Sequence, residues 1–167
     1  MQRWIDGYVR VVDRLSGVVG ISAMYLIFAM VGILLLDAVT RNVIDIPLHW
    51  CVEAAQFTLA AYYFLAGPIT LRDNDHARMD LFYDRLSERG KAWLDALTSF
   101  ALLFFLVVLM LGAISSTQYA IETGERRFSM WNPSMIPIKI LMCCCIALMI
   151  LQTISLIFKN INTIRGR

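Results

Sequence analysis

Apolar positions in this chain come in long blocks, not in the alternation of a strand or the narrow stripe of a surface helix. Leu15–Leu36, Ala54–Leu71, Ala96–Ile121 and Ile140–Phe158 carry no charge. A bilayer takes ~20 residues to cross as helix. The pattern predicts an all-α integral membrane protein, with transmembrane helices at about 15–37, 51–71, 94–121 and 137–158. These form a single four-helix membrane domain over residues 1–167. The first run is not read as a cleaved signal peptide. Its core exceeds the ~7–15 residues of a signal segment, and no small-x-small cleavage site follows.

The connections are less regular. Gln2–Arg14 spaces Trp4, Ile5, Tyr8, Val9 and Val12 at three and four among charges, which predicts an amphipathic helix on the inner surface or a plain extension of the first span. Arg72–Asp95 is the longest polar segment. Its "DLFYDRLSERGKAW" predicts a short interfacial helix capped by Asp80. In the third connection, "ETGERRFSMWNPSMIP", Pro133 and Pro137 bracket the start of the last span. Phe128, Met130, Trp131, Met135 and Ile136 make it apolar enough to dip into the outer interface. Gly67–Pro68 predicts a kink in the second span. Ser16, Gly20 and Ala23, then Ala54, Thr58 and Ala61, then Gly112 and Ser116, are small residues suited to close helix packing.

Charge placement adds orientation. Eleven Lys and Arg fall in the N-terminal segment, the second connection and the tail, against four in the first and third connections. The positive-inside rule then puts both termini in the cytoplasm. Trp50 and Trp131 mark the outer boundary, Trp4 and Trp93 the inner one. Composition agrees, at 59% hydrophobic against ~45–50% for a soluble domain. The net charge of +2 changes nothing.

Little here can do chemistry. The centres of the spans carry no ionisable residue; only Asp37 and Glu53 intrude, near the outer boundary. His49 and His76 fall in connections on opposite sides, which argues against axial haem ligation. Cys143, Cys144 and Cys145 point three ways around a helix, and with Cys51 they offer no CxxC spacing, so they read as small apolar fillers. Ser115 and Ser116 have no His or Lys expected at their depth. No phosphate loop or dinucleotide fingerprint occurs. The expectation is no enzyme, no cofactor, no metal and no nucleic-acid partner.

The scattered polar residues nonetheless have an order. Asp37 and "TRN" close the first span; Trp50 and Glu53 open the second; Gly67 precedes "LRDNDHARMD"; "GERRFSMWNPSMIPIK" leads into the fourth. The sequence Arg41, Trp50, Glu53, Gly67, His76, Asp80 resembles the sparse signature of the small membrane (Q) subunit of tripartite ATP-independent periplasmic (TRAP) transporters. Ala77, Arg78 and Met79 depart from the usual residues after the histidine. The resemblance implies a non-catalytic subunit in the bacterial inner membrane. It would pack on and extend the scaffold of a large (M) subunit that imports organic acids with sodium, fed by a periplasmic substrate-binding protein. Asp37, Arg41, Trp50, Glu53, Gln56, Gly67, Arg72, His76 and Asp80 are then candidates for partner interface or structural polar contacts. Arg126 and Arg127 are candidates for contact with the binding protein. Membrane lipids are the remaining partner.

Two readings of other classes compete. A stand-alone oligomeric transporter or channel would ring its mouth with Asp37 or Glu53. A membrane redox-enzyme anchor would need a haem. For single residues, Asp37 and Arg41 form a favourable i,i+4 pair, while Arg41 also shares its depth with Glu53. Glu53 lies about one turn below Trp50, and Gln56 and Ala60 continue its stripe. That stripe is expected to face protein, with Glu53 held by Arg41 or by a group of the large subunit. His76 with Asp80 is expected to steady the inner loop.

Overall fold

The computed structural model describes residues 2–46, 48–73 and 88–164. They form four helices: α1 (Gln2–Val43), α2 (His49–Arg72), α3 (Glu88–Thr123) and α4 (Ile136–Ile164). Among the described residues the only β-type pairing is one antiparallel bridge, Arg126 with Ser134. Gln2–Arg14 is not a separate surface helix: α1 runs unbroken from Gln2. The helix expected from Asp80 lies outside the described residues, as do His76 and Asp80.

Among the described residues, three segments are long and apolar enough to cross a membrane: Gly7–Val43, Trp93–Thr123 and Ile136–Phe158. α2 is not among them. Gln56, Thr58, Tyr62, Tyr63, Gly67 and Pro68 interrupt its apolar residues and lower its hydropathy. Much of the surface is nevertheless apolar along the helices. Tyr25, Phe28 and Leu35 on α1, and Phe100, Phe104 and Leu111 on α3, are all exposed. In water such faces would be a liability; a bilayer or a partner is the environment that suits them.

α1 pairs with α2, α3 pairs with α4, and α4 also touches α2 and α1. Among the described residues, α4 is therefore the one helix with substantial contacts to all three others. Trp50 and Trp131 stand 6.5 Å apart, so the first and third connections share one end of the bundle. The Tyr8 hydroxyl donates to the Leu151 carbonyl (2.9 Å), which sets the start of α1 beside the C-terminal half of α4.

Small residues set the closest approaches, as expected where lipid removes the hydrophobic drive between helices. Ser16, Gly20 and Ala23 are buried on one face of α1. A Cβ on Gly20 would lie 2.4 Å from Ile69 Cδ1 of α2, and one on Gly67 would lie 2.7 Å from Met149 Sδ of α4. Gly112 behaves otherwise: among the described residues nothing lies within 4 Å of its missing Cβ, so no close approach there needs a glycine. Between α3 and α4 the core is Leu106, Ala113 and Ile146.

Helix ends follow local chemistry. Gly124 takes φ +61 just after α3, and Glu125 N–H donates to the Ala120 carbonyl (3.0 Å). This is the glycine-capped helix end in which a backbone amide returns five residues to satisfy an orphan carbonyl. Pro137 sits in the first turn of α4, where a missing N–H costs nothing.

Candidate functional site

The polar side chains gather at the two ends of the bundle. At the end that holds the termini, α4 supplies a fully buried Gln152. Its Oε1 accepts from Ser16 Oγ (2.9 Å) and its Nε2 donates to Asp13 Oδ1 (2.7 Å). Arg72, at the end of α2, makes two hydrogen bonds with the Asp73 carboxylate (2.7 and 3.1 Å). It also reaches the Asp13 carbonyl (3.4 Å). Three helices thus meet around Asp13. Thr153 and Ser155 are also fully buried on α4; Thr153 Oγ1 donates to the Met149 carbonyl one turn back (2.8 Å).

At the opposite end, Arg41 pairs with Asp37 (3.2 Å), the i,i+4 pair that the spacing predicts. Asp37 is nearly buried, and its Oδ1 has no hydrogen-bond partner among the described residues. The expected Arg41–Glu53 contact is not formed. Arg41 is spent within its own helix, and Glu53 instead accepts from Ser129 Oγ (2.7 Å) of the third connection. Ser129 Oγ in turn accepts from Asn132 N–H (3.1 Å). Trp50 packs on Trp131 beside this clasp. Gln56 stays exposed.

The third connection is a tied loop. Arg127 N–H donates to the Pro133 carbonyl (3.1 Å) and Met135 N–H to the Glu125 carbonyl (3.0 Å). Lys139 pairs with Glu125 and touches the Ser116 carbonyl (3.4 Å). A lysine does therefore reach the depth of Ser116, contrary to expectation. Its ammonium is neutralised by Glu125 and meets a backbone carbonyl there, so it is not placed as a base for the serine hydroxyl. Thr117 Oγ1 meets Cys143 Sγ at 3.2 Å. All four cysteines are free thiols, and no His, Cys, Asp and Glu cluster among the described residues is arranged to hold a metal.

Ser129 Oγ makes two hydrogen bonds, one to Glu53 of α2 and one from Asn132 N–H within the loop. Ser129→Ala is expected to cost about 1–2 kcal/mol of local stability, at ~0.5–1.5 per bond. Hydrogen exchange at residues 124–135 should speed up, while the global unfolding midpoint moves little. Unchanged exchange would show that the backbone pairing holds the loop without the clasp.

Sequence reasoning missed Gln152, Asp13 and Ser129. Gln152 had a readable signal: an amide inside the most apolar run has no reason to be there unless it meets another helix. Ser129 had none, since its partner lies 76 residues away.

These features define an all-helical, multi-pass membrane protein whose inward polar groups are used mainly to tie helices and loops together. Residues 30–163 match the family described as tripartite ATP-independent periplasmic transporters, DctQ component. The chain belongs to that family and is a small membrane subunit of a TRAP transporter, a transport component and not a member of an enzyme family. No curated protein and no solved structure gave a match.

Proposed function

We propose that this chain is the non-catalytic subunit that packs on the large membrane subunit of a sodium-coupled importer of organic acids and widens its static scaffold in the bacterial inner membrane. Family membership over residues 30–163 carries the reading. The apolar outer faces of α1 and α3 support it, since they offer broad contact area in the bilayer. In this reading α2 is the fourth span of the single domain. Its 24 residues reach about 36 Å at ~1.5 Å each, enough for the ~30 Å hydrocarbon core. Both termini are cytoplasmic, and the first and third connections face the periplasm and the binding protein.

The exposed Gln56, one turn from Glu53, marks the face of α2 turned to the large subunit. An amide there costs less against protein than against lipid.

Co-expression tests this. The large subunit should co-purify with this chain and should lose import when it is omitted. Gln56→Trp should weaken co-purification several-fold without unfolding the chain. A large subunit that imports at the normal rate alone would overturn the reading. So would solute flux through this chain reconstituted by itself.

A further inference from the structure

The third connection neutralises its own acid and helps to hold a neighbouring one. Glu125 is paired with Lys139, and Glu53 of α2 is held by Ser129. Arg126 and Arg127 are exposed and have no ion-pair partner among the described residues. They line an open concavity of about 860 Å³ together with Tyr119, Phe128, Asn132 and Glu125, whose carboxylate Lys139 pairs. Beside it, Phe128 is fully exposed and Met130 is 82% exposed. The backbone pairs that hold Arg127 to Pro133 and Met135 to Glu125 keep this surface in shape.

Depth decides what such a surface meets. α3 ends at Thr123 and α4 opens at Ile136, and both helices are apolar enough to span. The loop therefore emerges directly into the head-group layer, the level at which Trp50 and Trp131 also belong. Guanidinium groups bind phosphate oxygens through paired charge-assisted hydrogen bonds. Bare Phe and Met side chains next to two span ends find acyl chains within a few ångströms.

We propose that this concavity binds the phosphodiester head group of a phospholipid, with Arg126 and Arg127 on the phosphate and Phe128 and Met130 among the upper acyl carbons. The outer leaflet follows from the orientation proposed above; the head-group contact does not depend on it. An acidic protein surface is the competing occupant. It fits less well, because it would leave Phe128 and Met130 in water whenever the partner was away.

The test uses the full chain purified with the subunits that accompany it. Phosphatidylglycerol is titrated into the micelles, and retained lipid is counted by native mass spectrometry. A basic group near an anionic lipid changes binding roughly fivefold, so the double variant Arg126→Gln with Arg127→Gln should lower retention roughly twenty-fold. Phe128→Ala should lower it less. The unfolding midpoint should stay unchanged, since all three side chains are on the surface. Inorganic phosphate at the same concentration should not displace the lipid. Equal retention by the double variant would overturn the proposal, as would displacement by inorganic phosphate. A double variant that keeps its lipid but no longer captures the soluble binding protein would reassign the patch to protein docking.

Discussion

Replacing Gln152 with alanine should destabilise the chain by about 2–4 kcal/mol, read as a lower midpoint in denaturing-detergent unfolding. The amide serves α1 twice, through Ser16 at 2.9 Å and Asp13 at 2.7 Å. An interhelical hydrogen bond inside a membrane averages only ~0.6 kcal/mol and reaches ~1.7 at most. The carboxylate bond belongs at the upper end because it is charge-assisted. Truncating a fully buried side chain also leaves a void, and large-to-small changes in packed interiors cost ~2–5 kcal/mol. Gln152→Leu separates the two effects. It restores most of the volume and removes only the hydrogen bonds, so about half the loss should return. An alanine variant within ~0.5 kcal/mol of the parent would mean that water replaces the amide at no cost.

Gly20 and Gly67 give the second large effect, through their contrast. In a helix interior, Gly→Ala by itself favours folding by ~1 kcal/mol. At Gly20 the new methyl would meet Ile69 Cδ1 at 2.4 Å, Cβ at 2.8 Å and Cγ2 at 2.9 Å. The Cβ of Ile69 is fixed to its own backbone, so rotating the side chain gives no escape and α1 must move away from α2. Overpacking of this kind costs ~1–3 kcal/mol, which outweighs the propensity gain. At Gly67 the methyl would meet Met149 Sδ at 2.7 Å and Cε at 3.2 Å. That thioether can swing aside. Gly20→Ala should therefore destabilise while Gly67→Ala stays near neutral or gains slightly. The reverse order would show that the α2–α4 contact is the tighter one.

Local signals carried much of the fold. Uncharged runs placed the helices, Pro133 and Pro137 bracketed the start of the last one, and the four-residue spacing of Asp37 and Arg41 gave their ion pair. Each is a statement about neighbours within a turn or two. The longer-range contacts escaped for a common reason. Ser16–Gln152 and Glu53–Ser129 join residues 136 and 76 positions apart. Both include an uncharged side chain that a hydropathy scan passes over. Glu53 is expected against Arg41 or a group of the large subunit; within this chain its partner is Ser129 in place of Arg41. Arg41 is equally near in depth, but Asp37 on its own helix claims it at a lower entropic cost. The amphipathic spacing of the N-terminal segment suits both a surface helix and an extension of the first span. The continuity of α1 resolves it.

The place of α4 bears on how the chain comes to be built. It is made after α1, α2 and α3, and among the described residues it has substantial contacts with each of them. Until it inserts, Ser16 and Asp13 lack the amide that later joins them. Among the described residues α3 likewise has no strong helical neighbour until α4 arrives. Before α4 inserts, the substantial described contacts left are those of the α1–α2 hairpin, so cohesion is expected to arrive with α4. Arrest of synthesis before residue 136 should leave a fragment that membrane proteases clear quickly.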